Sequence, residues 1–295
     1  MKVGLSCYDI SASDLVALAV DAEAAGFASL WLGEHVVLPV GYASAHPTAG
    51  GEAHQHHTVV VQPGTTLVDP LVALSAAAAA TSDIGLATGI YLLALRPPLV
   101  TARMAATLHD VSGGRFTLGV GSGWLEEEFT AVGVPFAERG ARLDESIDIL
   151  RQAWSGKPFA HDGTFWRFGR VLMSREPVGV PLVLGGNTER ALRRAADRAD
   201  GWFSSGTPSF DECVRLRGRL LDLRAELGRH EPFAVHVRVA TPDVDLAPYA
   251  EAGFDSVLVW ADQVWPADAD RAGRRAALAE AGARLGLVPR QGRGA

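Results

Sequence analysis

The chain has 295 residues, 48% of them hydrophobic, and a formal net charge of −7. The length suits one α/β barrel of about 250 residues, and the apolar content excludes bulk disorder. The acidic balance excludes a nucleic-acid partner, because no basic stripe is present to release phosphate counterions.

Residues 3–6 read as a first strand, and its position leaves no room for a signal peptide. Ser13 or Asp14 is expected to cap a helix bearing Leu15, Leu18, Ala19 and Ala22 on one face, stopped by Gly26. Residues 29–32 form the second strand, followed by a long irregular stretch over 36–67. Asp69-Pro70 opens an alanine-rich helix whose apolar run, 71–80, is too short to span a bilayer. The third strand covers 84–90, Pro97-Pro98 opens a helix to His109, and Gly113-Gly114 turns the chain. Residues 116–120 are the fourth strand and 139–154 the next main helix. An aromatic loop follows, with Phe159, Phe165, Trp166 and Phe168. Four more strands are expected at 182–184, 202–203, 234–239 and 256–259. Helices at 188–199, 211–227 and 246–252 separate them, a last helix covers 269–285, and the tail 291–295 should be floppy.

Eight strands alternating with helices predict a single (β/α)8 TIM barrel over 1–290 with a long insertion after strand two. An open doubly wound sheet would place a Gly-rich turn after its first strand, and Cys7-Tyr8-Asp9-Ile10 is not one. Two cysteines, Cys7 and Cys213, give no disulfide framework and fit a reducing cytoplasm.

Barrel enzymes build their sites where strands end. Those ends carry Glu34-His35, Gly89-Ile90-Tyr91, Gly121-Ser122-Gly123-Trp124, Gly185-Gly186-Asn187 and Ser204-Ser205-Gly206-Thr207. Any one Gly-rich run serves equally well as a tight turn. Three at one rim favour a phosphorylated cofactor, with backbone N–H groups and the helix after Asn187 turned toward an anion. Alone, His35 is more simply a structural histidine; at such a rim it becomes a proton-moving group.

His46, His54, His56 and His57 lie in the long insertion, where Glu52 is the nearest acid. Without a helical HExxH arrangement they do not make a zinc site, so no metal is expected and a lid over the barrel mouth is the preferred role. Gly121-Ser122-Gly123 is no nucleophile elbow. Glu126-Glu127-Glu128 reads as a solvated first helical turn from which one member could turn inward. Trp202 is assigned to barrel packing and Trp124 to the wall of a site for a flat ring.

The ordered set Asp69-Pro70-Leu71, Thr88-Gly89-Ile90, Arg96-Pro97-Pro98, Ser112-Gly113-Gly114-Arg115-Phe116, Gly119-Val120-Gly121-Ser122-Gly123-Trp124, Val134 to Gly140, Gly185-Gly186-Asn187 and Asp200-Gly201-Trp202 resembles the luciferase-like monooxygenase superfamily. Within it, the GGRFTLGVGSGW run resembles the branch that uses coenzyme F420.

The resemblance implies an acid–His pair, Glu34 and His35, beside a deazaflavin ring. The family usually has Asp where Glu34 stands. It implies a non-prolyl cis peptide at Gly89-Ile90 backing the ring, contacts from Gly121, Ser122 and Trp124, and a phosphate turn at Gly185, Gly186 and Asn187, with Ser205 and Thr207 adding to it. Some members carry a catalytic Glu at the position of Trp124, a role absent here.

The implied activity is hydride transfer between F420 and a small organic substrate in a homodimer, with His35 moving the proton. Arg139, Arg142 and Arg170 are the guesses for groups facing an acidic cofactor tail. The alternatives are an FMN-dependent monooxygenase using O2 and a non-redox barrel holding a phosphorylated substrate.

Overall fold

The computed structural model describes residues 1–46 and 64–290, so the expectations for His54, His56, His57, Glu52 and the tail 291–295 lie outside the described residues. Eight parallel strands close into a barrel: β1 (Lys2–Cys7), β2 (Ser29–Leu32), β3 (Gly85–Thr88), β4 (Phe116–Val120), β7 (Leu182–Gly185), β8 (Gly201–Phe203), β9 (Ala234–Arg238) and β10 (Ser256–Trp260), which pairs back onto β1. Around it lie α1 (Ala12–Ala24), α2 (Pro70–Ala80), α3 (Pro98–Val111), α4 (Glu126–Ala131), α5 (Arg139–Ala153), α6 (Glu189–Arg198), α7 (Phe210–Glu226), α8 (Ala247–Glu251) and α9 (Arg271–Arg284). The expected (β/α)8 barrel is therefore present, and residues 33–69 separate β2 from α2.

Two boundaries and one loop differ from expectation for physical reasons. The cap of α1 is Ser11, whose hydroxyl accepts from the Asp14 amide at 3.1 Å, so the helix begins earlier than Ser13. Strand β3 stops at Thr88, just before the cis Gly89–Ile90 peptide, and one isolated parallel bridge, Tyr91 to Val120, follows it. The aromatic loop is in fact a hairpin, β5 (Phe159–Asp162) antiparallel to β6 (Arg167–Val171). Its turn is held from outside: the Glu145 carboxylate on α5 accepts from the amides of Thr164, Phe165 and Trp166. A strand pair fixed by a distant carboxylate leaves little local pattern to read.

Burial is arranged in two layers. Trp31, Ala87, Val183, Phe203 and Leu258 fill the barrel interior, with Ile90 packed on them. Leu5, Leu15, Leu18, Leu30, Leu74 and many others fill the space between strands and helices, each contributing about 1.5–3 kcal/mol of burial. Trp202 belongs to this outer layer, wholly buried, as expected. Arg115 explains the charge after Gly113-Gly114: its guanidinium donates to the carbonyls of Ala78, Thr81, Ile84 and Ser112, tying α2 and α3 to β3. The first and last helices are joined by Asp21, which accepts from Trp265 and Arg271. Among the described residues no helix is long and apolar enough to cross a membrane.

Candidate active site at the C-terminal mouth of the barrel

The strand ends converge on a cavity of about 410 Å³. Its lining includes Glu34, His35, Gly89, Ile90, Gly121, Ser122, Trp124, Gly185, Gly186 and Ser205 from the expected set. Asn187 and Thr207 do not line it. The Asn187 amide is spent on Ser205 instead, donating to its carbonyl and accepting from its N–H at 2.9 and 2.8 Å. This two-point lock holds the β7 and β8 loops together.

Glu34 and His35 are adjacent but face different partners. Glu34 is buried, and both of its oxygens accept from Arg96 at 2.7 Å, with the Leu92 N–H as a third donor. Burial pushes its pKa up, and the Arg96 guanidinium and Leu92 amide pull against that. Three donors on two oxygens fit the ionised carboxylate, so Glu34 anchors the segment after β3 rather than offering a proton.

His35 Nδ1 lies 2.9 Å from Glu128 Oε2, and Glu128 Oε1 accepts from the Val36 amide. Glu128 is 0% exposed and His35 6%. Because a carboxylate only accepts, Nδ1 carries the hydrogen, and in the neutral imidazole Nε2 is the nitrogen that keeps a lone pair. Nε2 has no hydrogen-bond partner among the described residues, and His35 lines the cavity. Tyr8 and Trp124 stand edge-on to the imidazole at 6.0 and 5.8 Å and hold it between them.

Sequence reasoning named the inward-turning acid only as one of three. The other two members of the run also turn out to be engaged. Glu127 accepts from Ala43 N–H and from the N–H and hydroxyl of Ser44, which draw its pKa down to about 2, and the Glu126 amide donates to the same hydroxyl. The short helix α4 thus clamps the segment that leaves His35.

Two of the rim glycines serve a neighbour. A Cβ on Gly121 would come within 2.8 Å of Ile90 Cδ1, and one on Gly185 within 2.9 Å of Ile90 Cγ2. Gly186 has φ +118, a conformation open to glycine alone at low cost, and its N–H already donates to the Phe203 carbonyl at 3.4 Å.

Arg139, Arg142 and Arg170 do not line the cavity; Arg139 caps Phe136 and Arg142 pairs with Glu138. The cations that do line it are Arg238 and Arg274, neither singled out by the sequence. Arg274 is tied to Asp14, Pro266 and Ala267. His46 lies edge-on to Trp124 at 5.1 Å, and among the described residues no three His, Cys, Asp or Glu side chains cluster as metal ligands. Both cysteines are free and buried.

Comparison with known proteins agrees with this architecture. An uncharacterized protein of Mycobacterium tuberculosis (strain ATCC 25618 / H37Rv) is 35% identical over 242 residues, 80% of this chain and 83% of its own. The FMNH2-dependent dimethylsulfone monooxygenase of Pseudomonas fluorescens is 27% identical over 83% of this chain and 61% of its own. The coenzyme F420-dependent tetrahydromethanopterin reductase of Methanopyrus kandleri superposes with a TM-score of 0.70 at 17% identity, over 95% of this chain and 97% of that one. The model of the luciferase-like monooxygenase family matches residues 3–286, and with the barrel and its rim cavity in view the chain belongs to that family of oxidoreductases and monooxygenases.

Proposed function

We propose that the protein is a coenzyme F420-dependent oxidoreductase acting on a small organic substrate, either reducing an activated C=C or C=N bond or oxidising an alcohol. The observation that carries this reading is His35, fixed by Glu128 and left with Nε2 open to a cavity walled by Ile90 and Trp124.

The residues present fit a tricyclic ring. The cavity is within the range of about 300–1,000 Å³ typical of cofactor sites, and its walls are largely apolar side chains and glycine backbone. Ile90 would back the ring, with Gly121 and Ser122 along one edge and Trp124 closing the side near His35. The first turn of α6, reached through Gly185 and Gly186, would receive a phosphate through its leading amides and helix dipole. Asn187 would act there by holding the Ser205 loop in place, with Thr207 two residues further along that loop.

When bound, the deazaflavin would supply a two-electron hydride donor or acceptor. The chain's own part is to hold the ring and substrate in register, exclude water and manage one proton. Glu128 fixes the tautomer of His35, so that Nε2 accepts a proton from an alcohol or, once charged, delivers one to a reduced carbon or nitrogen neighbour. Glu34 keeps the β3 segment and therefore Ile90 in position through Arg96. We further take the working form to be a homodimer, which sedimentation of the purified protein would check.

Titration of the purified protein with coenzyme F420 and with FMN, followed by fluorescence, tests the reading. Saturable F420 binding with weak or absent FMN binding is expected. The dimethylsulfone monooxygenase relative favours a second reading, an FMN-dependent monooxygenase. Tight FMN binding with oxygen-dependent NAD(P)H consumption and indifference to F420 would establish that one instead.

A further inference from the structure

Ser6, Phe203, Arg238 and Trp260 all line the cavity, and Phe203 also belongs to the cluster that fills the barrel interior. Arg238 is 5% exposed, and its guanidinium lies over the rings of Trp260 and Phe203 at 4.1 and 4.7 Å. It makes no ion pair and its side chain donates no hydrogen bond to any described residue; Nε is wholly buried and unpartnered. Ser6, in register with Trp260 across the β1–β10 ladder, is 1% exposed, and its hydroxyl is likewise unpartnered. Both residues line the cavity.

A buried cation without a counter-charge is expensive, because ring faces replace only part of the lost hydration. Burial accordingly pushes the Arg238 pKa down to about 9, with no carboxylate acting against it. At neutral pH the group is still charged. Among the described residues the other buried arginine, Arg224, is satisfied by the carbonyls of Ala196 and Glu231, and the partly buried Arg96 by Glu34. The exception stands on the floor of the one cavity where a ligand is expected. In barrel order β9 lies four strands from β3 in either direction, so Arg238 faces the wall that carries Ile90.

We propose that Arg238 and Ser6 form a seat for the carboxylate of the substrate, making the substrate class small organic acids. A carboxylate matches the fork of N–H donors that a guanidinium presents, and the Ser6 hydroxyl adds a neutral donor. The inference rests on the proposed function for the reaction the acid undergoes, with its reacting carbon held between the seat and the Ile90 wall. The seat itself can be examined without any cofactor.

The experiment uses the full chain and benzoate as probe, with neutral benzamide as control, read by calorimetry and by the rise in melting temperature. Benzoate is expected to bind and benzamide not. Arg238→Met should raise the benzoate Kd about 10–100-fold, the range of a charge-assisted hydrogen-bond pair. Ser6→Ala, which removes one hydroxyl and keeps the fold, should raise it about three- to tenfold. Benzoate should also bind when the tricyclic ring is already present. Equal benzoate affinity in wild type and both variants, or none in wild type, would overturn the proposal. Displacement of benzoate by the ring, with ring affinity lost in Arg238→Met, would reassign the seat to the cofactor and overturn the substrate class. Failure of wild type to bind either ring, with the benzoate results as expected, would instead count against the proposed function.

Discussion

Glu128 grips His35 across 93 residues of sequence, Oε2 to Nδ1 at 2.9 Å, with both side chains buried. The pair makes separate demands on its two members. Replacing His35 by Ala should lower turnover about 10²–10⁴-fold, the usual contribution of a positioned proton-transfer group. Glu128→Gln preserves shape but no longer enforces the tautomer, and should lower turnover about 10–100-fold with ring affinity unchanged. Steady-state kinetics beside a cofactor titration would check both. Wild-type turnover in a folded His35→Ala protein would remove the imidazole from the chemistry.

A second histidine governs stability. His236 lies inside the barrel, its Nδ1 2.6 Å from the Ser256 hydroxyl, and burial pushes its pKa down to about 4. The unfolded chain takes up this proton near pH 6.5, and the folded chain only near 4. The contribution is therefore fully present above pH 6.5 and is lost progressively as pH falls toward 4. The amount is roughly 3 kcal/mol from this one group. Urea unfolding at pH 7 and pH 4.5 should show the loss, and His236→Asn should flatten that dependence. A wild-type midpoint that is flat over this interval would contradict the assignment.

The two thiols should be silent. Burial raises both Cys7 and Cys213 to about 12, and each sulfur donates only to a backbone carbonyl, of Trp31 and Pro208 respectively. A thiol-specific chromogenic reagent should react with neither in the native protein and with two per chain in denaturant. Fast native labelling would show that the β1 end opens.

Gly186 combines φ +118 with a place where a Cβ would stand 2.9 Å from Ala191 Cβ. Gly186→Val should destabilise the fold by about 1–3 kcal/mol and weaken ring binding as the α6 entrance shifts. Thermal melts and cofactor titration together test this; an unchanged melt would mean the turn has relaxed into another conformation.

The alternation of apolar runs and helical segments sufficed for the barrel, because each strand is buried on both faces and reads as a short continuous apolar run. Rim positions followed from strand ends alone, which is why Glu34, His35, Ile90, Gly121 and Trp124 were all found on the cavity. What was hidden depended on contacts between distant parts of the chain. The β5–β6 hairpin needed Glu145 to be seen, and the partner of His35 needed the orientation of one acid among three. Arg238 sat within an ordinary strand pattern, Val237-Arg238-Val239. A charge at an inward position of a barrel strand is the one signal the sequence carries for it.

Ile90 occupies the space that side chains at 121 and 185 would claim, so the three positions vary as one unit. A methyl group at either glycine collides with the isoleucine unless residue 90 has already shrunk, and a shrunken residue 90 leaves a hollow in the wall until a neighbour fills it. Substitutions there are therefore sign-epistatic: the order in which they arrive decides whether the intermediate survives. Reshaping this pocket by single changes would stall, while paired libraries at 90 with 121 or 185 would move through.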